Sequence, residues 1–149
     1  MGCDIHTFVE QQTPTGWEHL EIQEVFDWRS YHLFGWLAGV RNYSQVPPIA
    51  EPRGLPADVS REVEKESNDL DWHSRSWLSA DELLAFDYDA TFEDRRVTVS
   101  GDGGHTAEPG GGEMTTYREF LGPNYFADLT RLAELEKDAP TRVVFWFDN

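Results

Sequence analysis

"APTRVVFWFDN" (Ala139–Asn149) decides the fold. Val143, Phe145 and Phe147 alternate with Val144, Trp146 and Asp148. Successive side chains of a strand point to opposite faces, so bulk in both sets means a strand covered on both sides, in the middle of a sheet. A second alternation lies in "MGCDIHTFVE" (Met1–Glu10): Cys3, Ile5, Thr7 and Val9 take one face, and Asp4, His6, Phe8 and Glu10 the other. "TPTG" (Thr13–Gly16) is turn chemistry. Trp17–Phe26 then reads as a return strand with Leu20, Ile22 and Phe26 on one face. The pattern predicts a hairpin plus a C-terminal strand in a mainly antiparallel sheet.

Helices fill the rest. Ser30 is placed to cap "YHLFGWLAGV", where Leu33, Trp36, Leu37 and Val40 fall at helical spacing. Gly35 and Gly39 inside this apolar stretch point to close packing. Prolines 47, 48, 52 and 56 make 44–60 an irregular but ordered loop. Ser60–Ser67 reads as a charged surface helix, and "NDLDWHSRSWL" (68–78) as a loop. Ser79 and Glu82 form a capping box, with Leu83, Leu84 and Phe86 packing inward. A strand is expected within Tyr88–Ser100, strongest in "RRVTVS". The Gly-rich 101–113 reads as a flexible loop; it lacks the Gly-Lys-Ser/Thr ending of a phosphate loop. Thr116 and Glu119 repeat the capping pattern. Asn124–Asp138 is an amphipathic helix with Phe126, Leu129, Leu132, Ala133 and Leu135 on its apolar side. The class is α+β, one domain over 1–149.

Charge narrows the function. Among 149 residues there are 28 acidic and 12 basic ones, a net charge of −16. That opposes binding to polymeric nucleic acid, which relies on Lys and Arg against phosphates. It suits a small ligand held by a few local cations or a basic protein partner. A second copy of the chain is a further candidate partner. One cysteine forms no internal disulfide, in keeping with a reducing compartment. No apolar run is long enough for a bilayer, and no signal segment is read at the start. A soluble, cytoplasmic protein is expected.

Two constellations carry candidate chemistry. Asp4 and His6 share a strand face, a carboxylate and an imidazole that suit a divalent metal. His73 is the favoured third ligand, with Asp71, His32, His105 and Asp148 as further candidates. Such a site would activate water for phosphoester hydrolysis. His6 can equally satisfy its nitrogens against Asp4 or backbone. The second constellation is Arg41, Asn42, Arg53, His73, Ser74, Ser76 and Trp77, polar groups beside aromatics in irregular segments. Arg forks with hydroxyls and aromatic faces equip a protein for a small phosphorylated or nucleotide-like ligand. The alternative is that these arginines pair with the abundant carboxylates.

"MGCDIH", "YHLFGWLAGVRN", "EPRGLPADVS", "HSRSWLSADELLAFD" and "RVVFWFDN" together resemble a family of small phage, prophage and actinobacterial proteins. The resemblance runs the length of the chain. It departs at Tyr88–Tyr117, which is short and Gly-rich where longer members carry extra sequence. It implies a bacterial or phage-infected cytoplasm and no particular activity. Small phage proteins often disarm host defence, so one expectation is an accessory protein that sequesters a signalling nucleotide. A second is an inhibitor whose acidic surface imitates nucleic acid and binds a basic host protein.

Overall fold

A computed structural model describes residues 2–98, 105–107 and 112–149. In chain order its elements are β1 (Ile5–Thr13), β2 (Gly16–His19), α1 (Tyr31–Ala38), α2 (Arg61–Glu66), β3 (His73–Ser79), α3 (Ala80–Ala85), β4 (Thr91–Asp94), β5 (Arg96–Thr98), β6 (His105–Ala107), β7 (Glu113–Thr116), α4 (Tyr117–Leu121), α5 (Pro123–Asp138) and β8 (Thr141–Phe147). The fold is α+β with mainly antiparallel sheet. The chain divides into two compact units, Met1–Arg29 with Pro52–Phe86 and Pro123–Asn149, and Ser30–Glu51 with Asp87–Gly122.

The first unit holds a four-stranded antiparallel sheet in the order β2-β1-β8-β3. β8 lies between β1 and β3, and all seven of its residues are buried. One face carries Val143, Phe145 and Phe147, opposite Val9, Thr7 and Ile5 of β1. The other carries Arg142, Val144 and Trp146, opposite Glu10, Phe8 and His6. On this second face Val144 and Trp146 pack with Val63 of α2, and Leu55, Val59, Trp72 and Trp77 close around them. Phe8 stacks on Trp146 with ring centres 4.9 Å apart. On the first face Gln11 donates to the Leu135 carbonyl of α5 at 2.9 Å, and Thr7 donates to Val25 O at 2.6 Å. The cluster on each face is what lets an almost wholly apolar strand survive, since burial of each large side chain contributes about 1.5–3 kcal/mol.

Several expectations are corrected. β1 starts at Ile5 rather than Cys3, and the return strand ends at His19 rather than Phe26. Beyond it the Glu24 carboxylate accepts from Val9 N at 2.9 Å, and Asp128 accepts from Phe26 N at 2.8 Å. Side chains there do the work of a strand, and Phe26 turns through φ 60 to reach Tyr125. Within the expected loop 68–78, residues from His73 on form β3. A bulge between His73 and Ser76, with Ser74 at φ 56, breaks the alternation that would have revealed it. Its outer edge is covered: Gly54 N donates to Arg75 O at 2.8 Å and Arg53 N to Ser76 Oγ at 3.0 Å. The Pro-rich segment is therefore an edge guard. Val63 of the charged helix is fully buried, Leu84 is exposed, and Tyr125 joins the buried side of α5.

The second unit contains α1, the pairs β4–β7 and β5–β6, and α4. Ser30 Oγ accepts from Leu33 N, as its position predicts. Gly35 is a true close approach, for an added Cβ would lie 2.6 Å from Asn42 Oδ1. Gly39 instead ends the helix at φ 72. Phe92 packs on Tyr117 and Phe120, at 4.7 and 4.9 Å between ring centres. The expected strand within Tyr88–Ser100 is two strands, β4 and β5. Most of the Gly-rich 101–113 lies outside the described residues. No helix among the described residues is long and apolar enough to cross a membrane.

Candidate functional site

The Asp4–His6 motif is occupied by protein partners. Arg29 grips both oxygens of Asp4, at 2.8 and 2.9 Å. This guanidinium holds the Asp4 carboxyl below its usual range. His6 Nε2 lies 3.1 Å from Asp148 Oδ2 and the ring sits 4.4 Å from that of Trp72. Asp148 also accepts from Asp4 N at 2.8 Å. His73 approaches the same end, yet its Nε2 meets the Asp148 carbonyl at 3.3 Å and its Nδ1 meets Ser74 Oγ at 3.1 Å. Among the described residues no three His, Cys, Asp or Glu groups are placed to hold a metal ion. Asp4, His6 and His73 take part in a network that ties residues 4, 6, 73 and 148 together. Arg29 takes both oxygens of the Asp4 carboxylate in this network.

The proposed ligand-binding residues divide between the two units. Arg41 and Asn42 belong to the second. There the Asn42 amide closes on Val46, accepting from its N–H at 3.0 Å and donating to its carbonyl at 2.8 Å. The Arg41 guanidinium lies 5.5 Å from the Tyr31 ring centre. In the first unit, Ser76 is buried and spent on the Arg53 N–H. Ser74 and His73 bond each other. Arg53 directs its fork at Glu82, 2.8 Å for the first contact, and also donates to Trp77 O at 3.1 Å. Of the seven residues, Arg53 and Trp77 line a cleft.

That cleft, about 770 Å³, opens among the hairpin, the segment Arg53–Asp58, the start of α3 and the α5–β8 connection. Its size suits a small molecule. Trp17 and Trp77 supply indole walls, and Arg142 forms part of the lining. The Arg142 guanidinium lies 3.9 Å from the Trp17 ring centre and 5.8 Å from that of Trp77, while Arg53 lies 4.9 Å from the Trp77 centre. Cations on indole faces are attracted by the negative π cloud. The Arg142 side chain is 4% exposed and its partner Glu10 is fully buried. Glu10 Oε1 accepts from Arg142 Nε at 2.8 Å, and Glu10 Oε2 accepts from Ser60 N at 2.8 Å, at the start of α2. Asp58, exposed, takes the remaining prong at 2.9 Å.

Carboxyl groups of the cleft respond to these neighbours. Arg53 holds Glu82 down to about 2, aided by the Ser79 capping box. Arg142 lowers Asp58, and the Trp17 side chain adds a hydrogen bond. Glu136 moves the other way: burial raises it, the Thr141 N–H at 2.7 Å opposes, and the Asp81 carboxyl within hydrogen-bonding reach raises it further. The sequence reading missed Trp17, Asp58, Asp81, Glu136 and the Glu10–Arg142 pair. One signal was there to find. Glu10 and Arg142 are opposite charges inside two apolar strands, and a charge in such a strand needs a partner across the ladder.

Comparison with protein families, curated proteins and solved structures finds no match to this chain.

Proposed function

We propose that the chain is a small-ligand-binding protein that holds a nucleotide-like molecule by its flat ring in the Trp17–Trp77 cleft. The observation that carries this reading is a cleft of about 770 Å³ with two indole walls, built against a central strand buried on both faces. Indoles bind planar rings at low entropic cost, and a rigid floor spares the ordering that weakens binding. A phosphate contributes less to this reading than the ring does. The forks of Arg53 and Arg142 already hold carboxylates, so a phosphate has to displace Glu82 or Asp58. In the phage setting that the sequence resemblance implies, the protein would act by sequestration rather than by bond breaking. A metal-dependent hydrolase draws less support, since Asp4 is paired with Arg29 and no third ligand group joins it among the described residues.

The test is titration with adenosine, guanosine and their monophosphates, followed by tryptophan fluorescence and by heat. Saturable binding of at least one, lost in Trp77→Ala, supports the reading. No saturable signal up to about 1 mM with any of them, or with a base-methylated guanosine, overturns it.

A second reading, an acidic surface for a basic protein, is favoured by Leu70. This residue is 100% exposed between Asp69 and Asp71. Arg75 rigidifies the turn by donating to the carbonyls of Ser67, Asp69 and Trp72. A basic partner retained at low salt and lost in Leu70→Ser, with thermal stability unchanged, is the expected signature.

A further inference from the structure

We infer that the ring selected by this cleft is positively charged, so that its preferred ligand is a cationic nucleoside rather than a phosphorylated one. The inference rests on the cleft reading above and names its ligand class.

The indole faces show which chemistry they accept. The planar cations that lie over Trp17 and Trp77 are the chain's own guanidinium groups, at 3.9 and 4.9 Å from the ring centres. Each is already neutralised, Arg53 by Glu82 and Arg142 by Glu10 and Asp58. No lysine lines the cleft. Two further carboxyl groups do, Asp81 from the first turn of α3 and Glu136 from the last turns of α5. Among the described residues neither forms an ion pair; the two are within hydrogen-bonding reach of each other. The lining thus sets two guanidinium groups against three carboxyl groups, Asp58, Asp81 and Glu136, with Glu10 and Glu82 as further partners of the guanidiniums outside it.

Electrostatic complementarity then sets the sign of the ligand. An anion entering the cleft meets the surplus carboxyl groups and must break an existing fork. A cation meets indole and carboxyl together, the pairing already seen at Arg142. Partial exclusion from water strengthens such an attraction relative to the open surface.

The experiment compares 7-methylguanosine, guanosine and guanosine monophosphate at slightly acidic pH, by tryptophan quenching and calorimetry. The first two have nearly the same shape and differ by a methyl group and a positive ring charge. The expected result is binding of 7-methylguanosine about tenfold or more tighter than guanosine, a difference near 1.4 kcal/mol, with the monophosphate weakest. In the double variant Asp81→Asn, Glu136→Gln the preference should shrink severalfold, while its circular dichroism matches the parent. Guanosine or its monophosphate binding as tightly as 7-methylguanosine overturns the inference and leaves the cleft reading standing. Failure of all three to bind defeats both.

Discussion

One face of the first unit's sheet carries ionic groups at both ends, and the two ends behave oppositely. At one end Asp4 and Arg29 pair with their side chains about half exposed, and His6 meets Asp148 in partial exposure. At the other, Glu10 and Arg142 are almost wholly buried under Trp17, Trp77 and the segment leading into α2. The residue types are similar, though Asp4 lies one residue before β1 while Glu10 lies within it, opposite Arg142 of β8. Cover makes the difference. Water screens the first pair and leaves it worth little, whereas the second has no solvent to fall back on. A motif at the surface can therefore be conspicuous in sequence and energetically modest, while a buried pair that looks incidental is costly to break.

The most severe way to break the comparison is to strand a buried charge. Glu10→Ala or Arg142→Ala should each cost about 3–5 kcal/mol in urea unfolding. Replacing both by apolar residues of similar size, Glu10→Leu with Arg142→Met, should cost clearly less than the two single changes together. A double variant as unstable as the sum would deny that the pair acts as a unit.

Glu82→Gln comes next, with an expected loss of about 1 kcal/mol at neutral pH, since it weakens both the capping box and a partly exposed ion pair. The sign with pH follows from its lowered carboxyl. The contribution of Glu82 is present above its unfolded value of 4.5 and is lost as pH falls toward about 2. The variant should approach the parent in stability in strong acid, which urea midpoints across pH would read.

Glu136 predicts the reverse slope. Its folded carboxyl is raised by burial, so its contribution is complete below pH 4.5 and is lost as pH rises through the folded value. Glu136→Gln should flatten that decline in thermal midpoint by a small but measurable amount. The smallest effect is expected at the conspicuous motif. Asp4→Asn should shift the urea midpoint only slightly, and raised salt should narrow the gap. A loss as large as that of Glu10→Ala would erase the contrast between the two ends.

Much of the fold is legible locally. The caps at Ser30, Ser60, Ser79 and Thr116 accept the backbone N–H three residues on, because capping depends on a few neighbouring atoms. The two-sided burial of β8 follows from bulk on alternating positions. β3 was hidden because its bulge shifts the register and its edge is completed by Arg53 and Gly54, some twenty residues away in sequence. The candidate site was less legible. Arg53 and Trp77 stand out as residue types, but Trp17, Asp81, Glu136 and Arg142 reach the same cleft from four separate segments.

By itself the sequence determined the strand alternation, the helix starts, the turn at Thr13–Gly16 and a strongly acidic charge, all properties of short-range geometry and composition. Tertiary structure alone decided which charges are stranded from water, which arginines are already paired, and which tryptophans share a wall. Those outcomes depend on long-range packing, because the worth of a charge is set by what covers it and not by the residues beside it in the chain.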